Sequence, residues 1–378
     1  MRILMVNLPF SGHTNPTLPL AAALVRAGHA VTYVNAEEFR GRIEATGARF
    51  VPYRDYPAHP TEDDRKTRSF RACWDTALSL RETFDLLIYE MFFYPGFFLA
   101  QRLGVPCVRQ WSQAAWSVRG WRKRPLRFRL AARLLDRAVM SAADRRHIFS
   151  GWQPCPDLCS ANLYDRPALN IVYLPEEMQD SRIDFLAEEW VFQPPEIALP
   201  AADSFLSWAT LKRPIVYASL GSIMSDRGFC NQVVSGFGGG EMTVILNTGR
   251  IEPASLGRMP ENVRAYSFVP QAEVLRHADV FLTHCGMGSV NEALQCGVPM
   301  VMMPVMSDQP CNAARLLEMG LGRRVRAIPM SGRTMYAAAM AVWQDSEMKQ
   351  RALAMQESVR RQQDMDGLVR RIEEVCGK

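Results

Sequence analysis

Residues 264–322, RAYSFVPQAEVLRHADVFLTHCGMGSVNEALQCGVPMVMMPVMSDQPCNAARLLEMGLG, limit the fold more than any other stretch. Val263 to Phe268 is a short apolar run stopped by Pro270. Asp279–Thr283 and Val298–Met303 read as buried parallel strands, the second closed by Pro304. Between them His284-Cys285-Gly286 leads into a helix from about Ser289 to Gln295, which ends at Gly297. Strand, turn and helix in repetition define an α/β sheet, whose ligands sit where the carboxyl ends of strands turn into helices. Gly286, Gly288 and Ser289 allow close backbone approach there, and the N–H groups of a helix start suit a phosphate. His284 adds a donor that can carry charge. Glu292 is an acceptor-only group for paired hydroxyls, and Asp308 and Gln309 repeat that chemistry at the next helix. Phosphate donors at one turn and hydroxyl partners at two others describe a pocket for a nucleotide-sugar. An ordinary turn with a buried His and a helix cap accounts for the helices but not for polar groups at three successive strand ends.

A chain of 378 residues is too long for one ordinary core and implies two domains. Its 48% hydrophobic and 22% charged residues are those of a soluble globular protein. MFFYPGFFLA and VPMVMMPVM are too short for membrane spans and carry Pro or Gly. The start, MRILMVNLPFSGH, is a strand-length run broken by Asn, Pro and Gly, not a signal peptide. Nine cysteines show no paired framework, and nothing near Cys155 and Cys159 completes a zinc site, so reduced cysteines and a cytoplasmic location are the default. A net charge of +5 does not imply a nucleic-acid partner.

The first half repeats the α/β pattern. Arg2–Val6 is a strand, Asn7–Asn15 a loop, and Pro16 to about Ala27 a helix with Asn15 as N-cap. Ala30–Val34 and Arg49–Pro52 are strands around a short helix, Phe39–Thr46. Residues 54–71 are polar and Pro-interrupted and read as a mobile loop. Asp85–Tyr89, a helix Tyr94–Leu103, Val105–Arg109 and Ile171–Leu174, the last strand of this domain, follow. Residues 111–137 mix Trp111, Trp116, Trp121 and Phe128 with many arginines. Gln193–Ala202 is Pro-rich and serves as the linker. Pro214–Ser219 opens the second domain and runs into Gly221-Ser222, a further phosphate contact. Met242–Asn247 is its next strand. Gly236–Gly240 end a helix instead of following a strand, which excludes a dinucleotide fingerprint. The tail from Met335 to Cys376 is helical.

VPQAEVLRHAD, THCGMGSVNEAL, GVPMVMMP and DQPCNAARL together resemble the donor-binding signature of family 1 glycosyltransferases, the GT-B group that includes plant secondary-product and bacterial macrolide enzymes. The resemblance implies an α/β GT-B fold, two doubly wound Rossmann-like domains facing a central cleft. The implied domains are 1–195 for the acceptor and 203–366 for the nucleotide-sugar, with a helix from 367 to 378 crossing back. It implies that His284, Ser289 and nearby backbone hold the diphosphate, Glu292 the ribose, and Asp308 and Gln309 the sugar. Gly221, Ser222, Phe268, Val269, Gln271, Gly286, Met287 and Gly288 complete that donor set. Phe268 stands where a Trp usually opens the motif, and Met287-Gly288 replaces Trp-Asn.

Glycosyl transfer needs a base for the acceptor hydroxyl, and imidazole is the side chain that changes charge near neutrality. Gly12-His13-Thr14-Asn15-Pro16 resembles the family's Gly-His-x-x-Pro loop, which makes His13 the base. The partner carboxylate in the family is an Asp after the fourth strand; here Glu90 occupies that position, one methylene longer. No Asp-x-Asp follows a strand, so transfer with inversion and without a metal or other cofactor is expected. Gln309 resembles the residue found in many enzymes of the family that use glucosyl donors, which implies UDP-glucose as the first choice of donor and a dTDP-deoxysugar as the second. Trp111, Trp116 and Trp121 are candidates for the wall of a small-molecule acceptor pocket. Contact of 111–137 with a membrane around a lipid acceptor, and nucleotide-sugar epimerisation on the same fold, are the alternatives.

Overall fold

The computed structural model describes the chain except for residues 124, 125, 127, 128, 131, 133, 135–139, 152–155, 180–184, 186, 187, 198–204, 222–224, 307, 327, 328, 330 and 378. The chain forms two compact units, Met1–Pro195 with Gln363–Lys378, and Glu196–Gln362.

The first unit is built on β1 (Arg2–Val6), β2 (Ala30–Asn35), β3 (Arg49–Pro52), β4 (Leu86–Glu90), β5 (Cys107–Trp111), β6 (Leu169–Val172) and β7 (Trp190–Phe192). They form one parallel sheet in the order β3-β2-β1-β4-β5-β6-β7. Alternate side chains feed two cores, as the pleat requires. Leu4, Val6, Leu87 and Tyr89 pack with the helices Ser69–Ser79 and Gly96–Leu103. On the other face Ile3, Met5, Leu86, Ile88 and Ile171 pack with the helices Leu18–Arg26 and Met365–Val375. The last helix supplies Met365, Leu368, Val369 and Ile372 to that core.

The second unit holds β8 (Ile215–Ser219), β9 (Thr243–Asn247), β10 (Val263–Tyr266), β11 (Val280–Thr283), β12 (Met300–Met302) and β13 (Gly322–Arg324). Its parallel order is β10-β9-β8-β11-β12-β13. The helices Arg227–Phe237 and Gly332–Trp343 cross against its core at two glycines. A Cβ on Gly332 would lie 2.0 Å from the Gln232 carbonyl oxygen, and one on Gly236 would lie 2.3 Å from the Gly332 carbonyl carbon.

In each sheet the strand order reverses once, between β1 and β4 and between β8 and β11. These are the topological switch points, where a crevice opens at the carboxyl ends of the strands. The turns carrying His13, Gly221 and His284 all leave strands that flank a switch point.

Most strands fall within two residues of their sequence-read limits, because strands buried on both faces are continuous apolar runs. Three expectations need correction. Residues 54–71 contain a helix, Glu62–Thr67, which buries no side chain and is held by a Thr61–Asp64 capping box and Glu62–Lys66 and Asp64–Arg68 pairs. With no apolar stripe it gives no periodic signal. Ile171–Leu174 is not the last strand of the first unit, since the three-residue β7 extends the sheet. Asn15 caps nothing through its side chain; its Oδ1 accepts from Arg42 Nη1 at 2.9 Å, and the helix proper begins at Leu18 after a 3₁₀ turn.

Candidate active site

Each unit presents its own set of polar groups. In the first, the turn after β1 brings the His13 ring to the end of β4. Nδ1 of His13 lies 2.9 Å from Glu90 Oε1, with the His side chain 26% exposed and the Glu side chain 0%. A carboxylate so buried requires donors on its oxygens. Oε1 receives the Ser112 hydroxyl at 2.8 Å, and Oε2 receives the Phe92 backbone N–H at 2.9 Å. Ser112 Oγ is also 3.0 Å from His13 Nδ1. Phe92 stacks on the imidazole at 5.1 Å between ring centroids, and Phe10 meets it edge-on. The ring is thus fixed by a carboxylate at one nitrogen and by an aromatic face.

The extra methylene of Glu90 therefore does not prevent the pairing. Ser112 escaped sequence reading, although it follows β5 as Glu90 ends β4, and polar residues at successive strand ends were the available signal. Trp111 is not a pocket wall: it is 0% exposed, donates through Nε1 to Asn170 Oδ1 and carries the Arg109 guanidinium over its ring. Trp116 and Trp121 meet with their rings tilted at 31° and 5.0 Å apart, and pack with Cys159 and Leu163. Much of 124–139, and Phe128 with it, lies outside the described residues, as does Cys155.

In the second unit His284 follows β11 and is held between bare backbones. A Cβ on Gly221 would lie 2.6 Å from its Cε1, and one on Gly286 2.6 Å from its Nε2. Burial pushes the His284 pKa down, with the Asp308 charge pulling the other way, so the ring is held toward its neutral form. Its Nδ1 is buried without a partner among the described residues. The helix that follows, Met287–Cys296, has Gly286 as its N-cap and no side-chain cap bond. Its first N–H groups therefore point outward, as a phosphate needs. A Cβ at Gly288 would meet nothing within 4 Å, so space opens at this turn. Ser289 and Met287 are buried on the same helix. Ser222 lies outside the described residues.

Glu292 is tied to the same turn. Gln271 Nε2 donates to Glu292 Oε2 at 2.6 Å and to Ser289 Oγ at 3.3 Å, while its Oε1 accepts from Tyr217 Oη at 3.1 Å. Gln271 thus orients Glu292 and Ser289, a role the motif alone did not reveal. Burial raises the Glu292 pKa, and the Gln271 bond opposes that rise. Val269 is buried, whereas Phe268 is 78% exposed. Asp308 Oδ2 accepts from Asn312 Nδ2 at 2.8 Å, and the same nitrogen donates to the Cys285 carbonyl at 3.0 Å. Asn312, missed in the sequence, links the His284 turn to Asp308; its i, i+4 spacing from Asp308 was the clue. Gln309 Oε1 accepts from the backbone N–H groups of Val305 and Met306, at 2.9 and 3.1 Å, which leaves its amide nitrogen as the donor it can offer. Other motif residues serve packing. Glu273 Oε1 accepts from Phe205 N and Trp208 Nε1, and His277 stacks on Trp208 at 4.4 Å.

Among the described residues no group of three His, Cys, Asp or Glu could hold a metal ion, and no helix is long and apolar enough to cross a membrane. Cys73, Cys107, Cys159, Cys230, Cys285, Cys296, Cys311 and Cys376 are free thiols.

Two doubly wound sheets, one with a carboxylate-held imidazole and the other with an anion-suited helix start, define the class as GT-B glycosyltransferases. Comparison with known proteins gives the family. Residues 172–373, more than half of the chain, match the family model described as UDP-glucoronosyl and UDP-glucosyl transferase, and the chain belongs to that family. The NDP-glycosyltransferase YjiC of Bacillus subtilis (strain 168) is 29% identical over 376 residues, covering 95% of this chain and 93% of that protein. The oleandomycin glycosyltransferase of Streptomyces antibioticus is 28% identical over 395 residues, covering 94% and 86%. Among solved structures, the kitacinnamycin glycotransferase superposes with a TM-score of 0.81 at 27% identity, covering 99% of this chain and 98% of that one. The calicheamicin glycosyltransferase gives 0.81 at 25% identity, covering 100% and 98%.

Proposed function

We propose that this enzyme moves a hexose from a nucleoside-diphosphate sugar, UDP-glucose before a dTDP-sugar, to a hydroxyl of a small, largely apolar natural product. The first domain takes the acceptor and the second the nucleotide-sugar. The observation that carries the reading is the 2.9 Å approach of Glu90 to Nδ1 of His13. With the proton on Nδ1, Nε2 is the basic nitrogen and takes the acceptor proton as the acceptor oxygen bonds to the anomeric carbon. The bond from that carbon to the diphosphate breaks from the opposite face, so configuration inverts. His284, Ser289 and the helix start at Met287 receive the charge of the departing diphosphate in place of a metal. Glu292 accepts from the ribose hydroxyls, Asp308 and Gln309 hold the sugar, and the exposed Phe268 ring suits a nucleobase. The family description names UDP-glucosyl transfer. The relatives include an oleandomycin glycosyltransferase and a 4'-demethylrebeccamycin synthase, which supports a natural-product acceptor.

The test is His13→Ala, assayed against a panel of nucleotide-sugars and of phenolic and macrolide acceptors. Transfer falls about 10²–10⁴-fold while UDP binding, measured by calorimetry, stays within twofold. A wild-type rate in this variant removes the base assignment. Full activity in chelator supports metal independence, and loss restored by magnesium or manganese refutes it. Epimerised sugar-nucleotide formed without an acceptor points to epimerisation instead.

A second reading of residues 111–137 rests on Leu126, Leu130 and Leu134, which are exposed at four-residue spacing within a basic stretch. That pattern favours contact with an anionic membrane surface, and flotation with anionic liposomes tests it.

A further inference from the structure

We propose that Ser112 is a positioning residue for the base: its hydroxyl clamps the Glu90 carboxylate against His13 and so fixes which imidazole nitrogen carries the proton. The inference rests on the reading of His13 as general base. Three atoms form a closed triangle, with His13 Nδ1 to Glu90 Oε1 at 2.9 Å, Ser112 Oγ to Glu90 Oε1 at 2.8 Å and Ser112 Oγ to His13 Nδ1 at 3.0 Å.

Only one arrangement of protons satisfies this triangle. The serine hydroxyl has one proton and can donate it once. If it went to Nδ1, that nitrogen would be bare and would turn a lone pair toward the carboxylate at 2.9 Å, with Glu90 Oε1 left without a donor among the described residues. Donated to Oε1 instead, the hydroxyl leaves its own lone pair facing Nδ1, so both neighbours of Nδ1 demand an N–H. The Nδ1 proton is then shared between Glu90 and Ser112, and Nε2 is the lone-pair nitrogen.

The need for such a clamp follows from the side chain itself. Glu90 has one more rotatable bond than an aspartate at this position would have, and freezing that bond costs conformational entropy. The Phe92 N–H fixes Oε2 at 2.9 Å, and the Ser112 hydroxyl fixes Oε1. With both oxygens anchored, the longer arm cannot turn its charge away from the imidazole. Ser112 is buried just past the carboxyl end of β5, two residues beyond Gln110, the register partner of Glu90, so the sheet sets its reach.

The experiment compares Ser112→Ala, Ser112→Thr, Glu90→Ala and the double variant Glu90→Ala/Ser112→Ala, with His13→Ala as reference. Ser112→Ala lowers kcat about tenfold, the loss of one hydrogen bond, with KM for the donor unchanged. It also moves the acid limb of the pH–rate profile to lower pH, because the imidazolium loses a well-placed counter-charge. Ser112→Thr, which keeps the hydroxyl, restores both. In the Glu90→Ala background the same serine change costs under about twofold, since there is no carboxylate left to hold. The proposal is overturned by an unchanged kcat and pH profile in Ser112→Ala, or by an equal tenfold loss with and without Glu90. If His13→Ala abolishes transfer while Ser112→Ala does nothing, only this proposal falls; if His13→Ala is fully active, the base reading falls and this proposal with it.

Discussion

Gly221 lies so close to His284 that it leaves no room for a side chain, since a Cβ there would sit 2.6 Å from Cε1 of the ring. The backbone at Gly221 also has a φ of +78°, a left-handed conformation that costs an L-residue roughly 1–2 kcal/mol. Replacing Gly221 with alanine therefore strains the turn and displaces the imidazole together. We expect Gly221→Ala to weaken UDP binding at least about tenfold, the equivalent of ~1.4 kcal/mol, while circular dichroism shows an intact fold. Unchanged calorimetric affinity would separate His284 from the nucleotide.

The proposed role of Glu292 predicts a pH dependence of donor binding. Burial raises its pKa, and the Gln271 amide is what opposes the rise. If Glu292 has the proposed role, its ionised form accepts from the ribose hydroxyls, and donor affinity weakens as pH falls through that raised value. Gln271→Ala removes the opposing bond, so the weakening begins at higher pH. Calorimetric titrations of UDP between pH 5 and 8 check this, and Glu292→Gln makes the affinity flat over the same range.

Asp165 affects stability in the opposite sense from a surface ion pair. Burial pushes its pKa up to about 7, although Arg109 and Arg166 draw it down. Below its ordinary value near 3.8 the carboxyl is neutral in both folded and unfolded chains, and its contribution to stability is fully present. As pH rises toward 7 the unfolded chain releases this proton more readily, so the contribution is lost. Asp165→Asn should flatten the fall in unfolding free energy between pH 4 and 7, by on the order of 1–2 kcal/mol once partial solvent access is allowed for, as read from denaturant melts. A parallel pair of curves for the two proteins would contradict this.

The crossing of the helices Arg227–Phe237 and Gly332–Trp343 tolerates no side chain at Gly236. Gly236→Val pushes the helices apart and destabilises the second unit by about 1–3 kcal/mol. The melting transition should fall by several degrees, since about 1 kcal/mol moves a unit of this size by 2–4 °C. Wild-type melting would mean that the helices separate without cost.

Parallel strands such as LLIYE and VFLT were legible because burial on both faces leaves no alternation to decode. The turns carrying His13, Glu90 and His284 were legible because small or polar residues interrupt those runs. What was not legible depends on contacts distant in sequence. Ser112 meets Glu90 across 22 positions, and Asn312 meets the Cys285 carbonyl across 27. Trp111 looked like an acceptor wall because composition cannot tell which face of a strand a ring occupies. The helix at Glu62–Thr67 depends on local polar bonds alone and has no hydrophobic period to read.

The helix Met365–Val375 completes a core whose other fully buried members lie before residue 174. During synthesis, then, Leu20, Ile43 and Ile171 must wait for the whole intervening unit to leave the ribosome before their apolar faces are covered. A nascent chain arrested near residue 362 should accordingly bind hydrophobic-patch chaperones, and release from them should coincide with emergence of Leu368 and Ile372.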